Sequence, residues 1–242
     1  VPAGKVSMKT EYTMASVDSV DITVKGKGGH GAYPHTTIDP VVITSRIVLA
    51  LQTITSRELS PLEPSVITVG SIHGGSKHNV ISDEVKLQLT LRSYNPEVRL
   101  QQIAAIKRIS KGIALSAGLD KSLAPEVYVH EDESIPSTYN NPTQTNLVRS
   151  AIANAIGEDN VLETEAVMAG EDFGLYGRTE QNVPITLFWL GGVEPSQYDA
   201  AMQSGATLPS LHSSKFAPDY KKALPTGITA MSNAAVALFN KK

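Results

Sequence analysis

Val85, Leu87, Leu89 and Leu91 alternate without a break with Lys86, Gln88 and Thr90, and a side-chain period of two belongs to a strand with one buried face. The chain must therefore build a sheet and lay something apolar over one side of it. A second run of this kind, Val20, Ile22 and Val24 set among Asp21 and Thr23, ends at Gly26-Lys27-Gly28-Gly29. Asp39-Pro40 then reads as an N-cap and first helical position, and Ile43, Ile47, Ala50, Leu51 and Ile54 form one helix stripe up to about Arg57. Pro61 and Pro64 precede a short strand through Val66, Ile67 and Val69, which stops at the Gly74-Gly75 turn. After Asn95-Pro96 a helix carries Ile103, Ile106, Ile109 and Ile113 on one stripe and ends near Gly118, and Val127 and Val129 make a last strand before Glu131-Asp132-Glu133.

The order from Val17 to Glu131 is β-α-β-β-α-β, the ferredoxin-like or split βαβ arrangement, which predicts two helices on one face of a four-stranded sheet. Downstream the pattern changes to α/β: a helix over Thr143 to Ile156, a strand near Val161 to Glu165, a buried strand over Ile185 to Leu190 and a final helix over Asp219 to Phe239. These elements are too few to cover both faces of a sheet.

Composition narrows the function classes. A net charge of -3, with 19% charged and 41% hydrophobic residues in 242, suits a folded chain of one or two cores. No stretch approaches the 18 or so apolar residues of a membrane-spanning helix, and no Lys/Arg cluster offers nucleic acid a basic face, so a soluble protein without nucleic-acid or membrane partners is expected. With no cysteine there is no disulfide frame, thiol nucleophile or Cys-ligated zinc. The chain opens Val1-Pro2-Ala3-Gly4 rather than with Met, and is expected to begin within a longer protein.

Several constellations could carry chemistry. Gly26-Lys27-Gly28-Gly29-His30-Gly31 fits G-x-G-x-x-G after a strand, but Pro34 intervenes, the helix starts near Pro40, and Arg46 stands where a dinucleotide site wants an acid. These glycines are expected to form a turn, with His30 placed where the backbone can approach a ligand closely. His35, His73 and His78 read as solvated loop histidines. Arg92 ends the secure strand and is the natural fork for a carboxylate, or else a solvated strand-end cation, with Asn79 in the turn before it. Farther on, Met168-Ala-Gly-Glu-Asp-Phe-Gly174 pairs the carboxylates of Glu171 and Asp172, and Pro209-Ser-Leu-His-Ser-Ser214 holds His212. The zincin, nucleophile-elbow and Walker signatures are absent.

Taken in order, Val24-Lys-Gly-Lys-Gly-Gly-His-Gly-Ala-Tyr-Pro-His35, Thr68-Val-Gly-Ser-Ile-His-Gly-Gly75, Asn79-Val-Ile, Leu91-Arg92, Gly170-Glu-Asp-Phe173 and Leu211-His-Ser213 resemble the M20 metallopeptidases. The resemblance is to the amidohydrolase branch of hippurate hydrolases, aminoacylases, N-acyl-amino-acid deacylases and auxin-conjugate hydrolases, and to the C-terminal part of that family's chain. It implies a lid and dimerisation domain over residues 17–131 inserted in an α/β catalytic domain, of which residues 1–16 and 132–242 are parts. It also implies a cytoplasmic enzyme, homodimeric through the lid, that cleaves the amide of an N-acyl amino acid or small peptide. In the complete enzyme two divalent metal ions (Zn, Mn, Ni or Co) polarise the carbonyl and activate a water, with a Glu as base. By the same resemblance, His30 is a catalytic residue that stabilises the oxyanion of its own or a partner subunit's site, Asn79 and Arg92 bind the substrate's carboxylate end, and His212 is a metal ligand. The family's His-x-Cys-Gly-His-Asp segment, its Glu-Glu pair and a further His lie upstream of residue 1, Ser82 stands in place of a proline, and Ala169 in place of a glycine. The chain alone is therefore expected to be inactive and to hold metal weakly, the alternative being a non-catalytic substrate-binding or dimerisation module of the same descent.

Overall fold

The computed structural model describes residues Val1 to Asn240. In chain order it contains strands β1 (Val6–Met8), β2 (Glu11–Met14), β3 (Asp18–Lys25) and β4 (Gly29–His30), then helix α1 (Pro40–Thr53). Strands β5 (Ser65–Gly74), β6 (Val80–Ile81) and β7 (Glu84–Ser93), helix α2 (Pro96–Ser116) and strand β8 (Glu126–Val129) follow. The remainder is β9 (Thr138–Asn140), α3 (Pro142–Ile156), β10 (Val161–Glu163), β11 (Trp189–Leu190), α4 (Pro195–Ser204) and α5 (Tyr220–Phe239). The fold is mixed α/β, in two compact units: Met14–Ser137 with Met168–Asp172, and Val1–Thr13 with Thr138–Val167 and Phe173–Lys242.

The Met14–Ser137 unit is built on a four-stranded antiparallel sheet in the order β5-β7-β3-β8. Alternation decides its register: Val20 faces Leu89, Ile22 faces Leu87 and Val24 faces Val85, and all six are buried. Onto that face pack Ile43, Ile47 and Leu51 of α1 and Val98, Ala105 and Ile106 of α2. The α1 start follows from its cap, for the Asp39 carboxylate accepts the Val41 N–H at 2.8 Å and Pro40 needs no donor there. Beyond Thr53 the helix widens into a π turn over Ile54–Glu58. The α2 stripe differs from the sequence reading. Ile103, Ile109 and Ile113 only flank the core, while Gln102 and Ser110 are fully buried within it. Gln102 is accepted there because its Nε2 donates to Ser65 Oγ at 2.7 Å and toward the Val66 and Arg92 carbonyls, tying α2 to β5 and β7. A second polar tie joins the fully buried Asp18 of β3 to Arg99 and Ser134.

The other unit contains a three-stranded sheet, with β10 parallel and β11 antiparallel to the central β1. Val6 and Met8 pack against Val148 and Ile152 of α3 and Ala230 and Ala234 of α5. The buried strand expected over Ile185–Leu190 is only two residues long: Ile185 is buried, but Leu190 is 41% exposed and the ladder is confined to Trp189–Leu190. The carbonyls and amides before it are held otherwise. Asn140 accepts from Leu187 N at 2.7 Å and donates to Leu187 O and Lys9 O at 2.8 Å each, a side chain taking the place of a ladder. Helix α5 is apolar on both sides, with Ala223, Ala230 and Ala234 buried and Leu224, Ile228 and Met231 exposed along a groove of about 680 Å³ with Phe173, Leu187 and Leu190. The sequence reading placed no helix at α4; Glu194 caps it by accepting from Gln197 N at 3.1 Å.

Candidate functional site

The loop after β3 is threaded between two other segments of chain. Gly26 N–H donates to Asp83 O at 2.8 Å, Lys27 exchanges both backbone bonds with Ile38, and Gly28 N–H donates to Asp83 Oδ1 at 2.8 Å. A Cβ on Gly26 would lie 2.5 Å from Ile38 O, and one on Gly28 would lie 2.7 Å from Ile81 O. Such contacts exclude any side chain, so these glycines serve close backbone packing, and the helix N-terminus beside Gly26, that of α1, offers no N–H at Pro40 and is already capped by the Asp39 carboxylate. The turn expected of these glycines does not form over Gly26–Gly29: that segment runs extended, with Lys27 bridged to Ile38 and Gly29–His30 in β4, and the chain turns only at Gly31 and Ala32.

That threading brings two of the candidate residues together. Strands β4 and β6 pair Gly29 with Ile81 and His30 with Val80, and Gly31 N–H donates to Asn79 O at 2.8 Å. His30 is exposed, its ring edge-on to Tyr33 at 5.7 Å and its Nδ1 accepting the Ala32 N–H at 3.0 Å. Asn79 is exposed beside it. The pair thus offers polar groups to solvent from a short two-stranded ladder that joins segments distant in the chain.

Arg92 lies elsewhere. It is half-buried near the end of β7, with Nη1 3.5 Å from the Met168 carbonyl. Ala15 N–H donates to Ala169 O at 2.9 Å, laying Met168–Gly170 alongside the entry to β3. A Cβ on Gly170 would fall 2.0 Å from Val17 Cγ2, so only glycine fits. Arg92 therefore borders the Gly170-Glu171-Asp172 motif, a juxtaposition that the separation in sequence concealed. Glu171 and Asp172 are exposed, and the Glu171 carboxylate accepts the Asp172 N–H at 3.0 Å where a 3₁₀ turn begins. From Glu84 to Arg92, β7 spans about 26 Å at roughly 3.3 Å per residue. Asn79 lies before Glu84 and is paired to the far loop, so Asn79 and Arg92 do not meet within one chain.

His212 is exposed on the loop between α4 and α5. Among the described residues no three His, Cys, Asp or Glu side chains are grouped to hold a metal ion. His212 is a single donor and does not by itself fit a two-metal centre. His35, His73 and His78 are exposed, and His73 belongs to β5 opposite Lys86 rather than to a loop. Sequence reasoning passed over His130, whose Nε2 lies 3.2 Å from Asp21 Oδ2 and whose ring packs edge-on to Tyr128 at 4.7 Å, on the sheet face away from the helices. Strand parity could have paired Asp21 with Tyr128, but not with His130, which lies just beyond β8.

Residues 15–116 match the M20 profile described as "Peptidase dimerisation domain". The chain is 35% identical over 242 residues to thermostable carboxypeptidase 1 of Saccharolobus solfataricus, covering 99% of this chain and 56% of that protein. The chain belongs to the M20 peptidase family. It is 34% identical to N-acetyldiaminopimelate deacetylase of Enterococcus faecalis, again over 99% of its own length and 57% of the relative's. A dinuclear metal-binding M20 peptidase of Bacillus subtilis superposes with a TM-score of 0.71 at 24% identity over 98% of this chain and 54% of that one, a likeness of fold. The M20 chain thus spans a little over half the length of the relatives it matches. No helix among its described residues is long and apolar enough to cross a membrane.

Proposed function

We propose that this chain supplies the ferredoxin-like lid and part of the α/β catalytic domain of a metal-dependent amidohydrolase acting on N-acyl amino acids or small peptides, and that it works as a homodimer. The observation that carries the proposal is the placement of His30 and Asn79 at one end of the lid sheet and Arg92 at the other. No small substrate bridges about 26 Å, so the two ends serve two sites. A two-fold pair in which each chain lends its His30–Asn79 end to the other's Arg92 end brings all three to bear on one substrate. His30 then donates to the carbonyl oxygen as it takes on charge, Asn79 orients the amide, and Arg92 holds the substrate's carboxylate. Divalent metal, bound in the complete protein with His212 among its ligands, would polarise that carbonyl and lower the pKa of the attacking water. The relatives' names support this reading, since deacetylation and carboxypeptidase action both hydrolyse an amide. The apolar groove along α5 supports it too, as a face for further α/β chain of the same protein.

The test is complementation in the catalytically complete protein bearing this chain. His30→Ala and Arg92→Ala should each abolish N-acetyl-amino-acid hydrolysis. Mixed and re-equilibrated, half the dimers are hybrid and half of their sites intact, so about one quarter of wild-type activity returns. No recovery on mixing would sink the shared-site reading, and so would a monomeric mass for that protein at every concentration.

A further inference from the structure

We infer that the backbone N–H of Ala32 holds neutral His30 in the tautomer that carries its proton on Nε2, making this ring a fixed hydrogen-bond donor. This deepens the proposed role of His30 and rests on that reading for its use. The turn His30-Gly31-Ala32-Tyr33 builds the arrangement. Tyr33 N–H donates to His30 O at 2.8 Å, closing the turn, and Gly31 N–H donates to Asn79 O at 2.8 Å, anchoring it to the neighbouring segment. A Cβ on Gly31 would come within 3.1 Å of the Asn79 backbone, so that approach depends on glycine. The amide left between them, Ala32 N–H, points at the imidazole and lies 3.0 Å from Nδ1.

An amide N–H can share a hydrogen bond only with a nitrogen that has its lone pair free. Nδ1 is therefore the acceptor, and the single proton of the neutral ring sits on Nε2. The Tyr33 ring, edge-on at 5.7 Å, limits the ring's rotation from the side. The consequence is chemical. A neutral His30 so held presents an N–H outward, suited to a carbonyl oxygen or the oxyanion formed from it, and presents no lone pair for a metal ion or a proton in transfer. A donor oriented before substrate arrives needs no reorganisation during the reaction. Ala32 is in this sense a positioning residue that acts through its main chain, which is why no side-chain pattern announces it.

The experiment is NMR on the chain labelled with 15N at histidine. Long-range 1H–15N correlations report the tautomer of each of the six rings, and the His30 signals are identified by their loss in His30→Gln. At a pH where the rings are neutral, His30 should give the unaveraged Nε2–H pattern while exposed His35 gives the two-tautomer mixture of a solvated imidazole. Replacing Ala32 by lactic acid removes only the N–H, and His30 should then shift to the mixture seen for His35. An averaged or Nδ1–H His30, or a pattern indifferent to the lactic acid replacement, overturns the inference. No substrate enters the measurement, so its failure is distinct from failure of the hydrolase reading, which the activity of His30→Ala reports separately.

Discussion

Replacing Arg99 by alanine should loosen the sheet where β3 begins, at Asp18. Asp18 is fully buried, and its Oδ1 takes Arg99 Nε and Nη2 at 2.8 Å each and Ser134 Oγ at 2.7 Å. Its other oxygen has no partner among the described residues. Arg99 also reaches Glu131 at 2.8 Å, but that carboxylate is 68% exposed and contributes at most about 1 kcal/mol. The Asp18 hydrogen bond and charge hold the guanidinium's pKa above its ordinary value, against the effect of burial, so Arg99 stays charged at any working pH. Removing one partner of a buried pair costs roughly 3–5 kcal/mol. The Arg99 side chain is 19% exposed, so water reaches the vacated space, and Ser134 keeps one bond to Asp18. The loss should therefore fall near the lower bound, about 3 kcal/mol, or roughly a hundredfold in the opening equilibrium at 1.4 kcal/mol per decade. Amide hydrogen exchange at Val20 and Ile22 reads this directly in the unit concerned, where the single Trp189 of the other unit would not. Glu131→Gln is the control and should leave those rates nearly unchanged. In a cycle with Asp18→Asn, Arg99→Met should couple by about 2 kcal/mol, because neither change alone leaves its partner satisfied. Exchange within threefold of wild type in Arg99→Ala, or strict additivity in the cycle, would refute the account.

Asn140→Ala removes three hydrogen bonds of 2.7 to 2.8 Å from a buried site and should cost about 2–3 kcal/mol, monitored by urea denaturation with Trp189 fluorescence. Gly170→Ala should displace the Met168–Gly170 segment, because the new Cβ meets Val17 Cγ2 at 2.0 Å. Val17→Ala should restore most of the loss by making room, and a double variant no better than the single one would rule out that clash. At α4, the Ser196 hydroxyl and then the Gln197 N–H hold the Glu194 carboxyl below its ordinary pKa. A depressed folded value means the cap's contribution is present above the unfolded pKa and lost as pH falls through the folded one. Helix α4 should thus fray in acid, seen as faster exchange of its first amides, and Glu194→Gln should remove that pH dependence.

How much could be read from the chain alone depended on how local the responsible forces are. The strand Val85–Leu91 was legible because a two-residue period can serve only a strand with one buried face, and all four apolar residues are buried. The start of α1 was legible because Asp39 and Pro40 act within one turn. Ile185–Leu190 misled because a short apolar run does not say what will satisfy its backbone, and here Asn140, 47 residues away, does much of that work. Gln102 was invisible as a core residue because its acceptors come from two other strands.

The candidate site divides the same way. Sequence by itself determined that a glycine-rich segment carries His30, that Arg92 lies at a strand end, and that the ordered motifs are those of the M20 family, since side-chain periodicity, caps and motif spacing all act over a few residues. Only tertiary structure decided that Gly31 and Asn79 lock together, that Arg92 lies against Met168 and Gly170, and that about 26 Å of β7 separates the two ends. The physical reason is that strand pairing and close backbone approach join residues far apart in the chain, and no local pattern records which distant segment will arrive.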